Sequence, residues 1–174
     1  FFEIFFKSLN YKKYKSPLIL ICSKKLLISH IIKSKIKIKI NYIDKNFIGK
    51  IKNKKKLINV IDIEYKKNDS HSYIKNSFDI AFKIIKAGVA DKLINGPVSK
   101  SKFLKGIFPG VTEYISNHFD VKNNAMLIYN KNLSVCPVTT HLPIKDVAKN
   151  INKTAIKNKI ILINNFYKKK FNIK

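Results

Sequence analysis

Three short stretches of this chain carry side chains that can do chemistry. In Val135-Cys136-Pro137-Val138-Thr139-Thr140-His141-Leu142-Pro143, an apolar run ends in two hydroxyl residues and an imidazole. Pro143-Ile144-Lys145-Asp146-Val147 then reads as the start of a helix, so His141 stands where a strand gives way to a helix. In open α/β sheets, ligands gather in the crevice outside the carboxyl ends of the strands. The alternative is a loop histidine satisfied by local hydrogen bonds. Asp146, about one helical turn on, can orient such a site or simply favour the helix dipole. Upstream, Gly110-Val111-Thr112-Glu113-Tyr114 places a hydroxyl among helix-start amides, a natural anion site. In Asn95-Gly96-Pro97-Val98-Ser99-Lys100, Gly96 and Pro97 shape a turn, and Lys100 can reach a phosphate or carboxylate or remain solvated. His30, His71 and His118 belong to none of these stretches, and His71 and His118 read as surface residues.

Taken together, Gly96-Pro97-Val98-Ser99-Lys100, Gly110-Val111-Thr112-Glu113-Tyr114 and Thr139-Thr140-His141-Leu142-Pro143-Ile144-Lys145-Asp146-Val147 resemble three motifs of the 4-hydroxythreonine-4-phosphate dehydrogenases of pyridoxal phosphate biosynthesis. Glu3-Ile4-Phe5-Phe6-Lys7-Ser8-Leu9 resembles the helix after that family's glycine-rich opening turn. The resemblance implies an NAD- or NADP-dependent, metal-requiring oxidation of 4-phosphohydroxy-L-threonine, with decarboxylation to 3-amino-2-oxopropyl phosphate. It implies His141 as one of three histidine ligands to Zn, Mg or Co, and Thr112 and Lys100 as substrate-binding residues. The family histidine that precedes the threonine is replaced here by Val111. A hydrogen bond to a charged group is worth about 1.5–3 kcal/mol, so this replacement should weaken substrate binding roughly 10- to 150-fold.

By the same resemblance the fold is α/β, a three-layer α/β/α arrangement on a mainly parallel sheet like that of isocitrate and isopropylmalate dehydrogenases. Only the front portion is expected here: residues 1–95 as a first lobe, and 96–174 carrying the substrate and metal motifs and opening a second. The cofactor loops and two further histidines are expected in a C-terminal half absent from this chain, and without them residues 1–174 alone should form no NADH. A homodimer in the cytoplasm is implied. Two other readings stay open: a truncated remnant without activity, and a basic nucleic-acid-binding module.

Composition bears on the last of these. The net charge is +26, yet all 36 basic residues are lysine. Sequence-specific nucleic-acid readers favour arginine for bidentate and stacked contacts. Lys, Ile and Asn have codons rich in A and T, so genome bias explains the excess without a specific nucleic-acid partner. No run of 18 apolar residues suggests a membrane span, and Cys22 and Cys136, both in apolar runs, read as buried free thiols.

Periodicity supplies the frame. Residues 17–22 and 57–63 read as buried strands, and 35–42 as a half-exposed strand with Ile36, Ile38, Ile40 and Tyr42 on one face. Residues 50–56 read as a charged loop. A helix capped by Ser70 runs to Gly88, with Ile74, Phe78, Ala81, Phe82 and Ile85 inward. A short strand is expected at 92–95, a helix at 112–119, a hairpin from 125–129 and 133–138, and a Lys-rich helix over 151–167 with fraying beyond.

Overall fold

A computed structural model describes residues 1–11, 14, 16–46, 49, 51 and 57–171. It divides the chain into two compact units, Phe1–Phe103 and Leu104–Lys174. The expected loop at 50–56 lies, apart from Ile51, outside the described residues.

The first unit is built on three parallel strands: β1 (Ile19–Cys22), β2 (Lys39–Tyr42) and β3 (Leu57–Asp62). Their spatial order is β1-β3-β2, so the β1-to-β2 connection through helix α2 (Lys24–Lys33) crosses the central strand. Leu57-Ile58-Asn59-Val60-Ile61 takes the centre because it is apolar on both faces, as a covered parallel strand must be. Ile58 and Val60 point to one face. There they join Phe6 of α1 (Phe2–Tyr11), Leu20, Cys22 and Leu27 in a buried cluster, with Ile36, Ile38 and Ile40 packed against it. On the remaining face α3 (Ser70–Lys86) lies against β1 and buries Phe78, Ala81, Phe82 and Ile84. Phe78 stacks on Phe103, at 5.4 Å between ring centres, in the short helix α4 (Lys100–Leu104). Helices on both faces of a parallel sheet give the expected α/β layering.

Asn59 is buried in the middle of this sheet. It accepts a hydrogen bond from Asn41 Nδ2 on β2 (2.9 Å) and donates from its own Nδ2 to the Leu18 carbonyl just before β1 (3.2 Å). One amide thus ties the central strand to both neighbours. At the carboxyl ends of β1 and β3, the amide of Ser23 donates to Tyr73 Oη (3.0 Å) and that of Lys24 to Asp62 Oδ1 (2.7 Å). The entry into α2 is therefore tied to α3 and to β3.

The second unit contains α5 (Val111–His118), α6 (Ile144–Asn150) and α7 (Lys153–Phe171). The expected hairpin shrinks to one antiparallel bridge, Ile128 to Val135. Asn152 explains why α6 and α7 are separate: its Oδ1 accepts from the Ala155 amide (2.9 Å) and starts a new helix. The Lys-rich helix then runs on to Phe171, where stacking of Tyr129 on Phe171 (5.2 Å) and packing of Tyr167 beside it offset the charge expected to fray it. No helix among the described residues is long and apolar enough to cross a membrane.

Other expectations need correcting. β2 is half the predicted length, because Lys35 turns the chain out of α2 and Ile36 and Ile38 pack without strand pairing; Tyr42 is exposed, with Lys24 Nζ 4.5 Å above its ring. Asp69, not Ser70, caps α3, accepting from the Ser72 amide (3.0 Å). Residues 92–95 pair with no strand among the described residues. Ile84 rather than Ile85 is buried. His71 lies against the Phe103 ring (5.8 Å) and His118 against Phe119 (5.3 Å), so neither is simply a surface residue. Cys22 is buried, whereas Cys136 is only partly covered.

Three helices end in the same way. After α2, α3 and α5, the residues Lys35, Gly88 and Asp120 adopt left-handed backbone (φ 51°, 70° and 54°). The following amides of Ile36, Val89 and Val121 bond back to the carbonyls of Ile31, Ile84 and Ser116. This is the Schellman arrangement with an apolar residue after the turn. Only Gly88 adopts it without side-chain strain, which for other residues is about 1–2 kcal/mol. Lys35→Gly is accordingly expected to stabilise the protein by about 1 kcal/mol and Gly88→Ala to destabilise it by about as much, read from denaturant midpoints. Burial pushes the Cys22 thiol up to about 12, with Asp62 adding to the effect. In mildly alkaline buffer a thiol reagent is expected to modify Cys136 in the folded chain and to reach Cys22 only after denaturation.

Candidate functional site

Side chains from two of the motif stretches meet at the start of α5 and in the loop before α6. Gly110 caps α5 with an extended backbone (φ −161°, ψ 172°) that any residue can adopt. Its lack of a side chain serves a different end. A Cβ at Gly110 would lie 2.6 Å from Glu113 Oε2 and 3.0 Å from His141 Nε2. The two side chains reach over the glycine from opposite directions in sequence and share the gap it leaves.

Each is held with some strain. His141 has left-handed backbone (φ 57°), a conformation that bulky residues rarely occupy and that clusters at functional loops. Leu142 and Pro143 follow, and Pro143, extended by its ring, caps α6 instead of forming its first helical residue. The left-handed turn returns the imidazole toward α5 while the chain departs into α6. Glu113 lies in the first turn of α5, where a carboxylate is favoured by the helix dipole. Its Oε2 is sealed from solvent and has no hydrogen-bond partner.

Thr112 is half-buried at the second position of α5, and Val111 is half-buried at the first. The start of α5 therefore carries the hydroxyl expected there, but also a carboxylate in the same turn. A phosphate at this end would meet Glu113 as well as the amides, so Thr112 rather than the bare helix end is the group suited to bind it. Asp146 sits in the first turn of α6, and no hydrogen bond joins it to His141 among the described residues. Lys100 opens α4 in the first unit and is exposed. Gly96 lies in extended chain, and a Cβ there would meet the Phe1 ring at 2.7 Å. Close approach, not turn geometry, accounts for that glycine.

Sequence reading singled out His141 and Thr112 but passed over Glu113 and Gly110. Their signal was present, since the glycine and the acid flank the hydroxyl that was noticed. It lacked any indication that a residue nearly thirty positions on would share the space. An imidazole is a donor that suits a divalent cation, and a carboxylate oxygen beside it can orient the ring. No third His, Cys, Asp or Glu completes a metal set among the described residues. His141 therefore fits such an ion as one member of a coordination shell.

With this geometry established, similarity to known proteins is informative. A model of the family described as pyridoxal phosphate biosynthetic protein PdxA matches residues 13–174. A 4-hydroxythreonine-4-phosphate dehydrogenase of Wigglesworthia glossinidia brevipalpis is 30% identical over 175 residues, covering 95% of this chain and 52% of the relative. One from Sulfurihydrogenibium sp. (strain YO3AOP1) is 35% identical over 127 residues, covering 67% and 38%. The solved 4-hydroxythreonine-4-phosphate dehydrogenase of Klebsiella pneumoniae shares the fold, with a TM-score of 0.72 at 17% identity over 90% of this chain and 51% of that one. The chain spans about half the length of such relatives.

Because both atoms facing Gly110 are the far ends of flexible side chains, Gly110→Ala is expected to fold with less than about 1 kcal/mol lost, below the usual range for overpacking. It should nevertheless displace the His141 ring, seen as a change in that imidazole's NMR resonances larger than at His30 or His71. An unmoved His141 signal would contradict the shared gap.

Proposed function

Since the chain belongs to the pyridoxal phosphate biosynthetic protein PdxA family, we propose that it is the front portion of an NAD- or NADP-dependent dehydrogenase acting on 4-phosphohydroxy-L-threonine. The product would be an oxo acid that loses carbon dioxide to give 3-amino-2-oxopropyl phosphate. The observation that supports this most directly is the convergence of His141 and Glu113 over Gly110, which joins two of the three motifs in one place. In this reading His141 is a metal ligand, Thr112 donates its hydroxyl to the substrate, and Lys100 offers a positive charge to an anionic group. A divalent cation, Zn, Mg or Co, would stabilise the alkoxide as it forms and polarise the carbonyl that follows. Asp146 favours the start of α6 and through it the loop that carries the imidazole. Residues 96–174 open the second lobe, the working form is a homodimer in the cytoplasm, and the partner is a phosphorylated metabolite, not a specific nucleic acid.

Val111 is the departure from the family pattern, and it provides the test. Restoring the imidazole with Val111→His is expected to tighten binding of 4-phosphohydroxy-L-threonine roughly 10- to 150-fold by calorimetry, the worth of one hydrogen bond to a charged group. Thr112→Ala is expected to weaken it. His141→Ala should abolish Zn2+ binding to the chain. Substrate affinity indifferent to both Val111→His and Thr112→Ala would overturn the reading.

A further inference from the structure

Glu113 presents a problem that the motif reading does not solve. Leaving a buried polar atom unmatched costs about 1–3 kcal/mol, and more when it is charged. The helix dipole returns only about 0.3–1 kcal/mol at an ordinary surface position. Oε2 is nonetheless closed off without a partner, although the residue as a whole is half-buried. The atom is aimed at the Gly110 gap, and the group facing it across that gap is His141 Nε2. His141 in turn is kept there by left-handed backbone. The missing Cβ, the sealed carboxylate oxygen and the strained imidazole are separate features, and they meet at one point.

We propose that Glu113 is a positioning residue whose carboxylate accepts a hydrogen bond from Nε2–H of His141 across the gap left by Gly110, leaving Nδ1 as the nitrogen that faces a ligand. The inference rests on the reading of His141 as a ligand-holding residue. The two groups fall short of bonding geometry in this structure, a looseness usual for functional hydrogen bonds that tighten when a ligand binds. A carboxylate behind a ligating histidine fixes its tautomer and ring angle and strengthens it as a donor. Glu113 would do this from the rigid first turn of α5, whereas Asp146, in α6, makes no such approach. Gly110 is then required for what it lacks.

The test uses the chain labelled with 15N-histidine and Zn2+ alone as probe. In the unsubstituted chain the His141 ring is expected to carry its proton on Nε2, protected from exchange with water, and Zn2+ should shift Nδ1. Glu113→Ala should lose that protection and bind Zn2+ 10- to 100-fold more weakly in competition with a chromophoric chelator. Glu113→Gln, which keeps an acceptor oxygen without the charge, should lie between. If Glu113→Ala does not fold by circular dichroism, Glu113→Gln decides: reduced protection supports the pairing, and unchanged protection with unchanged Zn2+ affinity overturns it. A shift at Nε2 on adding Zn2+ would also overturn it. If Zn2+ leaves the ring untouched while its N–H protection still depends on Glu113, the pairing stands and the metal role of His141 falls instead.

Discussion

The first unit depends on a single strand being bonded along both edges. β3 is the last strand of the three to be synthesised and the first in importance, because β1 and β2 touch it and not each other. Its alternate side chains supply both faces of the sheet, and its buried polar residue, Asn59, spends its amide on the two neighbours. A buried amide matched on both sides fixes register more sharply than an apolar residue, since a slip would strand its donor and acceptor together. At the carboxyl end of the same sheet, Tyr73 and Asp62 accept from the amides of Ser23 and Lys24, tying the entry of α2 to α3 and β3.

The proposed metal-binding group, His141, belongs to the second unit, which is organised by loops and helix ends. There the shared gap over Gly110 performs the role that a strand end plays elsewhere: it brings groups distant in sequence to one point. In the proposed reading His141 is the focus. Sequence and structure differ in emphasis on its companions, since the motif reading weighted Thr112 and Asp146, whereas the structure sets Glu113 beside the ring.

How far the sequence revealed this depends on the kind of signal. The central strand was legible because nearly continuous apolar residues over 57–61 suit little else at that length. α3 was legible because its inward residues keep helical spacing and a glycine stops it. α2 was not, because Lys35 fills the position after it where glycine is the usual sign, and a lysine in a chain so rich in lysine carries no information; the helix expected at 112–119 was found as α5 at 111–118. The short strand expected at 92–95 failed for a tertiary reason, as nothing in four residues says whether a neighbour will pair with them. Candidate residues were found where a motif concentrated them, and missed where the relevant property was an absent side chain.

Among the described residues, four that are not glycine, Lys35, Lys105, Asp120 and His141, hold left-handed backbone. At the first three, relieving the conformation would leave the candidate site's side chains in place, so those turns are available to stabilising change. At position 141 the same remedy would delete the imidazole. If His141 serves the proposed site, selection for robustness and selection for activity pull apart at that residue alone among the four. A screen for heat-tolerant variants would then be free to rewrite the other turns while His141 survived only where the proposed metal role was also selected.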